Sequence, residues 1–159
     1  MVELKEKRVL SLGFGYGFEI TEIEKYGADV YGVEPKLELY SLFLSGNPEY
    51  KNKIANTTLQ QIPDNIKGEL FDVVFCSLWN IFLEERVDVL YKCREILKSD
   101  GSLVIGLRDD IYIYGDEYIE SIPKLMRSCF PYVHAIKPQM NNVNKVFFIA
   151  KNQSMAFGG

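Results

Sequence analysis

The sequence feature that most constrains the fold is a short apolar run that ends in three alternating glycines. Residues 9–12 read Val-Leu-Ser-Leu, and Gly13, Gly15 and Gly17 follow at every second position. The run predicts a buried strand, and the glycines predict a sharp turn into a helix, where a ligand can approach the backbone closely. The Gly-x-Gly-x-Gly spacing differs from the Gly-x-Gly-x-x-Gly of dinucleotide binders, which argues against a bound pyrophosphate.

An acidic residue at the end of the next apolar run gives this loop a partner. Residues 29–34 predict a second strand, and Glu34 closes it. A carboxylate at that place, roughly twenty residues after the glycines, can accept hydrogen bonds from the hydroxyls of a ribose. The glycine loop and Glu34 together predict a site for a nucleotide-like cofactor.

Strand and helix patterns alternate along the rest of the chain and end in a hairpin. The predicted strands are 8–12, 29–34, 53–58, 70–77, 102–107, 132–136 and 145–150, and the predicted helices are 18–26, 35–45, 83–97 and 116–129, with a short helical turn in 60–68. The polar loop 138–142 is too short for a crossover helix, so the last two strands should pair antiparallel. This alternation predicts a three-layer α/β sandwich with a mostly parallel sheet and right-handed crossovers.

The carboxyl ends of the parallel strands are expected to form the binding edge of this sheet, because ligands of such folds sit beyond those ends. The glycine loop, Glu34, Thr58 and Ser77 all follow predicted strands at that edge. Asp109 follows the fifth predicted strand at the same edge, where it can orient an acceptor group. His134, the only histidine, falls in the sixth predicted strand and is expected to be structural.

The amino-acid composition is that of an ordinary globular protein. The 159 residues, with 47% hydrophobic and 25% charged, suit one domain over residues 1–151, followed by a tail, 152–159, that is expected to be disordered. No apolar run is long enough to span a bilayer and the charged start is unlike a secretory signal, so we expect a cytoplasmic protein. The net charge of −4 argues against a general nucleic-acid binder.

The three cysteines predict neither a disulfide framework nor a zinc site. Cys76, Cys93 and Cys129 are odd in number, far apart in the chain and lack a Cys-x-x-Cys pair. We interpret all three as small core residues. No metal site is expected elsewhere, since Asn80 alone after the fourth predicted strand does not make a magnesium site.

The residues resemble the class I S-adenosylmethionine-dependent methyltransferases over nearly the whole chain, residues 8–151. The matching pieces are Leu-Gly-x-Gly-x-Gly at 12–17, the strand-end Glu34, Phe-Asp-Val-Val at 71–74 and Leu-Lys-Ser-Asp-Gly at 97–101. The resemblance implies a Rossmann-like, seven-stranded sheet of order 3-2-1-4-5-7-6 with the last strand antiparallel. It also implies S-adenosylmethionine as the cofactor.

The resemblance implies a role for several residues. Gly13, Gly15 and Gly17 would pass under the methionine part of the cofactor, and Glu34 would hold the ribose hydroxyls. The stretch 57–60, with Thr58 and Leu59, corresponds to the adenine-contacting segment, and Ser77 to the mouth of the substrate side. The side chains expected to face the substrate are Trp79, Asn80 and Asp109. No residue stands out as a catalytic base.

Two positions depart from the family pattern. Ser11 stands where many members carry an acid near the amino end of the cofactor, and Thr58 stands where an aspartate commonly meets the adenine. Hydroxyls form hydrogen bonds but supply no charge, and charged bonds are roughly twice as strong. Two alternatives therefore stay open: an enzyme resembling polyamine aminopropyltransferases, which use decarboxylated S-adenosylmethionine, and a non-catalytic cofactor-binding or partner subunit of the same fold.

The resemblance also bears on partners. Many relatives carry a segment before the first strand that covers the cofactor, whereas the first strand here begins by Arg8. The cofactor is then either open, covered by a second copy in a homodimer or by a partner chain, or covered by another part of a larger protein. We expect a small-molecule acceptor, no membrane partner and no nucleic acid.

Overall fold

The computed structural model of the protein describes residues 3–76, 86–107, 115–136 and 146–152. The strands are β1 (Arg8–Leu12), β2 (Asp29–Val33), β3 (Ile54–Ala55), β4 (Phe71–Cys76), β5 (Leu97–Leu107), β6 (Tyr132–Ile136) and β7 (Val146–Lys151). The helices are α1 (Phe18–Glu24), α2 (Leu37–Gly46), α3 (Asp64–Lys67), α4 (Arg86–Ile96) and α5 (Gly115–Cys129). Two 3-10 turns, Pro48–Tyr50 and Leu59–Gln61, flank β3.

The seven strands form one sheet of order β3-β2-β1-β4-β5-β7-β6, which confirms the predicted architecture. Strands β1 to β5 pair in parallel, and β7 pairs antiparallel with both β5 and β6. The predicted closing hairpin is therefore confirmed. The central strands β1 and β4 are buried on both faces, as their nearly continuous apolar sequences require.

Two hydrophobic clusters, one on each face of the sheet, hold the three layers together. Successive residues of a strand point to opposite faces, so Val9 belongs to one cluster and Leu10 to the other. The larger cluster joins the sheet to α4 and α5 through Leu90, Cys93 and Met126. The smaller cluster joins it to α1 and α2 through residues such as Ile20.

Helix α1 faces the sheet differently from the prediction. The apolar residues Phe18, Ile20 and Tyr26 approximate helical spacing in the sequence, which predicts a shared inward face. Ile20 is fully buried, but Phe18 and Tyr26 are 73% and 69% exposed. An α-helix turns by about 100° per residue, so Phe18 points to the side away from Ile20. Tyr26 lies beyond the last helical residue, Glu24. In α2 the spacing of Leu37, Tyr40 and Leu44 likewise predicts one inward face, but Leu37 is exposed and Phe43 is the buried residue.

The junction of α4 and β5 also differs from the prediction. The spacing of Leu83, Val87, Leu90 and Leu97 in the sequence predicts one apolar stripe of a helix. Val87 is however 41% exposed, Leu97 is the first residue of β5, and Leu83 lies outside the described residues. The strand begins five residues earlier than expected because Leu97 pairs with Phe71, after which the register shifts until Ser102 meets Val73. Pairing with β4 thus overrides the turn that Gly101 suggests in the sequence.

An ion cluster ties β1, β4 and β5 together at the amino ends of the strands. The Asp72 carboxylate accepts a hydrogen bond from the Arg8 backbone N–H at 2.9 Å and pairs with the Lys98 ammonium at 3.0 Å. Burial opposes the ionisation of Asp72, but these donors outweigh it and hold its pKa below the ordinary range of an aspartate. The Arg8 guanidinium lies over the rings of Tyr31 and Phe71. These contacts at the amino ends of β1, β4 and β5 therefore stabilise the fold.

Two findings bear on the cellular setting. In the part of the chain that the structure describes, no helix is both long enough and apolar enough to cross a membrane. Cys76, Cys93 and Cys129 are buried free thiols, as expected of core residues, and burial raises the pKa of the Cys93 thiol far above its usual range. The predicted domain over residues 1–151 and the predicted disordered tail over residues 152–159 stay predictions.

Candidate functional site

The strand register brings the predicted binding residues together at the carboxyl edge of the sheet. Leu12, the last residue of β1, is level with Val33 of β2 and Cys76 of β4. The segments that follow β1 and β2 are therefore neighbours, and the Gly13 N–H donates to the Val33 carbonyl at 2.8 Å. The glycine loop and Glu34 meet here, as the sequence predicted.

Glu34 is joined directly to the glycine loop. Its side chain is only 3% exposed. One carboxylate oxygen, Oε2, accepts the Gly15 N–H at 2.8 Å, and the other, Oε1, accepts the Lys36 N–H at 3.0 Å. A buried charge is costly unless hydrogen bonds compensate it, and these two amides provide that compensation.

The Glu34 carboxylate retains acceptor capacity after these two bonds. An ionised carboxylate offers about four lone-pair positions, and each of the two amide donors occupies one. The remaining positions are those that hydroxyl donors of a ligand require. The side chain thus suits the ribose of a nucleoside-like cofactor, and the glycine loop contributes its backbone at the same point.

The three glycines are not equivalent. Gly13, Gly15 and Gly17 all have a positive φ, at 61°, 57° and 83°. At Gly17 a Cβ would also lie 2.1 Å from a ring atom of Phe43, whose ring packs against Phe14 with centroids 5.2 Å apart. Gly17 therefore serves the packing of α2 against the start of α1, a role that the motif by itself does not reveal.

The other predicted cofactor residues differ in their surroundings. Ser11 is buried in β1, level with Gly32 and Phe75 of the neighbouring strands. Thr58 is exposed just before a 3-10 turn, whereas Leu59, the first residue of that turn, packs in the larger hydrophobic cluster. Of this pair, Thr58 has the accessible side chain.

Asn56 is a site residue that the sequence interpretation missed. Its side-chain Nδ2 donates to the Glu34 carbonyl at 2.9 Å and to the Pro35 carbonyl at 3.1 Å. These bonds fix the backbone that directly follows the Glu34 side chain. Asparagine commonly bonds to backbone carbonyls in loops, but nothing in the local sequence indicates a partner twenty-two residues away.

Several predicted residues cannot be placed in this site. Ser77, Trp79, Asn80 and Asp109 lie outside the described residues. His134 lies on β6, an edge strand of the sheet, and is level with Ile149. Within the described ranges, no group of three His, Cys, Asp or Glu side chains could hold a metal ion.

The glycine loop also presents two aromatic rings to solvent. Tyr16 is 63% exposed and Phe18 is 73% exposed, and their ring centroids are 6.2 Å apart. Phe18 lines an apolar groove of about 540 Å³ that runs along the sheet face over β4, β5 and β7. Of the described helices, only α1 contributes to the lining of this groove.

Comparison with known proteins extends these observations. The sequence model of the family described as "Methyltransferase domain" matches residues 10–105. A curated relative from Pseudomonas aeruginosa, tRNA U34 carboxymethyltransferase, is 29% identical over 127 residues, which are 77% of this chain and 38% of the relative. The chain thus spans well under half the length of this relative.

Solved structures share the fold at low sequence identity. An S-adenosylmethionine-dependent methyltransferase from Mesorhizobium loti superposes with a TM-score of 0.70 at 14% identity, covering 94% of this chain and 93% of the other. The fibrillarin pre-rRNA processing protein from Methanococcus jannaschii superposes with a TM-score of 0.70 at 16% identity, covering 95% and 69%. These likenesses show the fold.

The comparisons correct the prediction about partners. A small-molecule acceptor was expected and nucleic acid was not, yet the curated relative that matches is named for tRNA. The expectation was wrong because it rested on the net charge of −4, which sums the whole sequence. RNA recognition depends instead on local surface features, including stacking surfaces that carry no charge.

Proposed function

Because the chain belongs to the methyltransferase domain family, we propose that it transfers a methyl group from S-adenosylmethionine to a nucleoside of tRNA. The methyltransferase family that the resemblance implied is confirmed, and the fold shared with an S-adenosylmethionine-dependent methyltransferase supports S-adenosylmethionine as the cofactor. The family match also favours methyl transfer over the aminopropyl alternative. The observation that carries the proposal is the buried Glu34 carboxylate bonded to the Gly15 amide, in a chain whose curated relative is a tRNA enzyme.

We assign the cofactor-binding roles as follows. The free acceptor positions of Glu34 would take the ribose hydroxyls, and the backbone of 13–17 would hold the methionine part. Thr58 would contact the adenine with an exposed hydroxyl, while Leu59 supports that segment from the core. Ser11, buried one residue before the end of β1, would lie beneath the amino end.

When bound, S-adenosylmethionine supplies an electrophilic methyl group on a positively charged sulfur. The nucleophilic atom of the acceptor would form a bond to the methyl carbon while the carbon–sulfur bond breaks, and the electron pair of that bond would stay on sulfur. The protein mainly has to align the two reactants and exclude water, and such positioning can supply about 7–11 kcal/mol of the barrier. The hydrogen bonds from Gly15 and Lys36 to Glu34 hold the glycine loop in place for this alignment.

The acceptor class rests on sequence similarity together with the site. The match to the tRNA U34 carboxymethyltransferase covers 77% of this chain. The exposed aromatic rings of Tyr16 and Phe18 adjoin the cofactor loop, where an acceptor base has to arrive. Both observations favour RNA over a small molecule.

Transfer of an isotopically labelled methyl group tests the proposal. The purified protein is incubated with labelled S-adenosylmethionine and unmodified tRNA, the RNA is digested to nucleosides, and the products are separated by mass spectrometry. We expect one labelled nucleoside. No label on tRNA, while S-adenosylhomocysteine still binds, would favour the non-catalytic subunit of the same fold and contradict the proposal.

A substitution at Glu34 tests the cofactor site, and a substitution at Glu38 is the matched control. Glu34→Gln keeps the size of the side chain but removes its charge and turns an amide donor toward a backbone N–H. We expect the dissociation constant for S-adenosylhomocysteine to rise roughly 10- to 100-fold, since hydrogen bonds to charged groups contribute about 1.5–3 kcal/mol. Glu38→Gln, at an exposed glutamate in the first turn of α2, should bind like the wild type.

The name of the curated relative favours a second donor. That relative is a carboxymethyltransferase, so a derivative of S-adenosylmethionine that carries a carboxymethyl group is the alternative donor. The mass added to the nucleoside separates methyl from carboxymethyl transfer in the same assay when each donor is supplied alone. Product only with the carboxylated donor would replace methyl transfer with carboxymethyl transfer at the same site.

A further inference from the structure

Two neighbouring aromatic side chains at the glycine loop are exposed to solvent. Tyr16 lies between Gly15 and Gly17, and Phe18 begins α1. The side chains are 63% and 73% exposed, and the rings contact each other with centroids 6.2 Å apart and planes tilted by 36°. Single exposed apolar residues are common, but a contiguous aromatic pair beside a binding loop marks an interaction site.

The backbone of the loop holds these rings outward. Phe14, the preceding aromatic residue, is buried against Phe43, whereas Tyr16 and Phe18, each of which follows a glycine with a positive φ, are exposed. The Gly15 N–H donates to the Glu34 carboxylate, which holds the loop in place. The two rings are therefore presented by a braced loop, which reduces the ordering that a ligand would have to impose.

We propose that Tyr16 and Phe18 form a stacking platform for an unpaired nucleobase of the RNA acceptor. This inference rests on the proposed function and adds the group that receives the base. Sequence-specific RNA recognition commonly stacks splayed-out bases on aromatic side chains, and enzymes that modify a base must take it out of the stack. Because the two rings touch, the base stacks on their outer surface and does not insert between them.

The charges near the platform favour a base over a phosphate. Glu19 follows Phe18 directly, and Glu22 lies one turn further along α1, where it pairs with Lys25. Carboxylates beside the rings disfavour the phosphate backbone, whereas the face of a nucleobase is uncharged. The contribution of the platform to RNA affinity should therefore be independent of salt, in contrast to phosphate contacts.

Alanine substitutions test the platform. Tyr16→Ala and Phe18→Ala are compared with Tyr26→Ala, which removes a similarly exposed tyrosine just beyond the other end of α1. Filter binding gives the dissociation constant for unmodified tRNA at low and high salt, and calorimetry gives that for S-adenosylhomocysteine. We expect each platform variant to lose roughly 5- to 150-fold in tRNA affinity, the range for one stacked base.

The controls separate the failure of the platform from the failure of the proposed function. The same loss should appear at both salt concentrations, and Tyr16→Phe should bind tRNA like the wild type. Phe18→Ala, which lies outside the cofactor-holding loop 13–17, should leave the affinity for S-adenosylhomocysteine unchanged. Platform variants that bind tRNA as well as Tyr26→Ala overturn the platform alone. In Phe18→Ala, a loss of S-adenosylhomocysteine affinity equal to the loss of tRNA affinity also overturns it, because the ring would then cover the cofactor. A wild-type protein that does not bind tRNA overturns the proposed function, and the platform with it.

Discussion

Replacing Gly17 by alanine tests whether the last glycine of the loop is required by packing as well as by ligand approach. The residue has a φ of 83°, and an added Cβ would lie 2.1 Å and 2.2 Å from two ring atoms of Phe43, a buried side chain of α2. No Cβ can occupy that space unless the ring moves.

The expected cost has two parts. A left-handed backbone costs an L-residue about 1–2 kcal/mol, and inserting a methyl group into a packed core costs about 1–3 kcal/mol. Alanine also restricts the unfolded chain, which offsets about 0.4–1 kcal/mol. We therefore expect Gly17→Ala to lower the free energy of unfolding by about 3 kcal/mol, measured by urea denaturation.

A double-mutant cycle isolates the steric part. Phe43→Val removes the two ring atoms that the new Cβ would meet, so in that background Gly17→Ala should cost only about 1 kcal/mol, the backbone part that remains. Gly46→Ala is the control, because no atom lies within 4 Å of its added Cβ. Equal costs of Gly17→Ala in the two backgrounds, or a cost no larger than that of Gly46→Ala, would refute the reasoning.

Two further predictions concern the amino edge and the core. Asp72→Asn should lower the free energy of unfolding by about 1 kcal/mol at neutral pH, discounted because its partner Lys98 is 44% exposed. The pKa of Asp72 is lowered in the folded protein, so its stabilising contribution is present above the pKa of the unfolded chain and disappears as pH falls through the folded pKa. The urea midpoints of the variant and the wild type should therefore converge below about pH 4. A difference that stays constant with pH would contradict this. The buried cysteines should react with a thiol reagent only in denaturant, because burial raises the pKa of Cys93 and blocks access; fast reaction of the native protein would contradict the core placement.

Much of the fold follows from local pattern. The apolar run before Gly13 forms β1, the glycines form the turn into α1, and the short polar loop before β7 gives the antiparallel hairpin. These features were predictable because strand periodicity and turn chemistry act over a few neighbouring residues. The place of Glu34 beside the glycine loop was predictable for the same reason, since both follow adjacent parallel strands.

Other features depended on contacts between distant parts of the chain. The apolar spacing of α1 suggested that Phe18 points inward, but the orientation of a short helix is set by the turn that precedes it and by the side chains it meets. The spacing around Leu97 suggested the end of a helix, but pairing with Phe71 makes it a strand residue. Periodicity alone cannot choose between such competing partners.

The sequence by itself determined the order of strands and helices, the glycine loop and the acid that follows the second strand, because each depends on local backbone preference. Only the tertiary structure decided how the loop is held: Glu34 accepts the Gly15 amide across nineteen residues, and Phe43 fills the space that a side chain at Gly17 would need. It also decided that Tyr16 and Phe18 remain outside. The physical reason is that burial and hydrogen bonding join groups far apart in the chain, and only the folded backbone sets their distances.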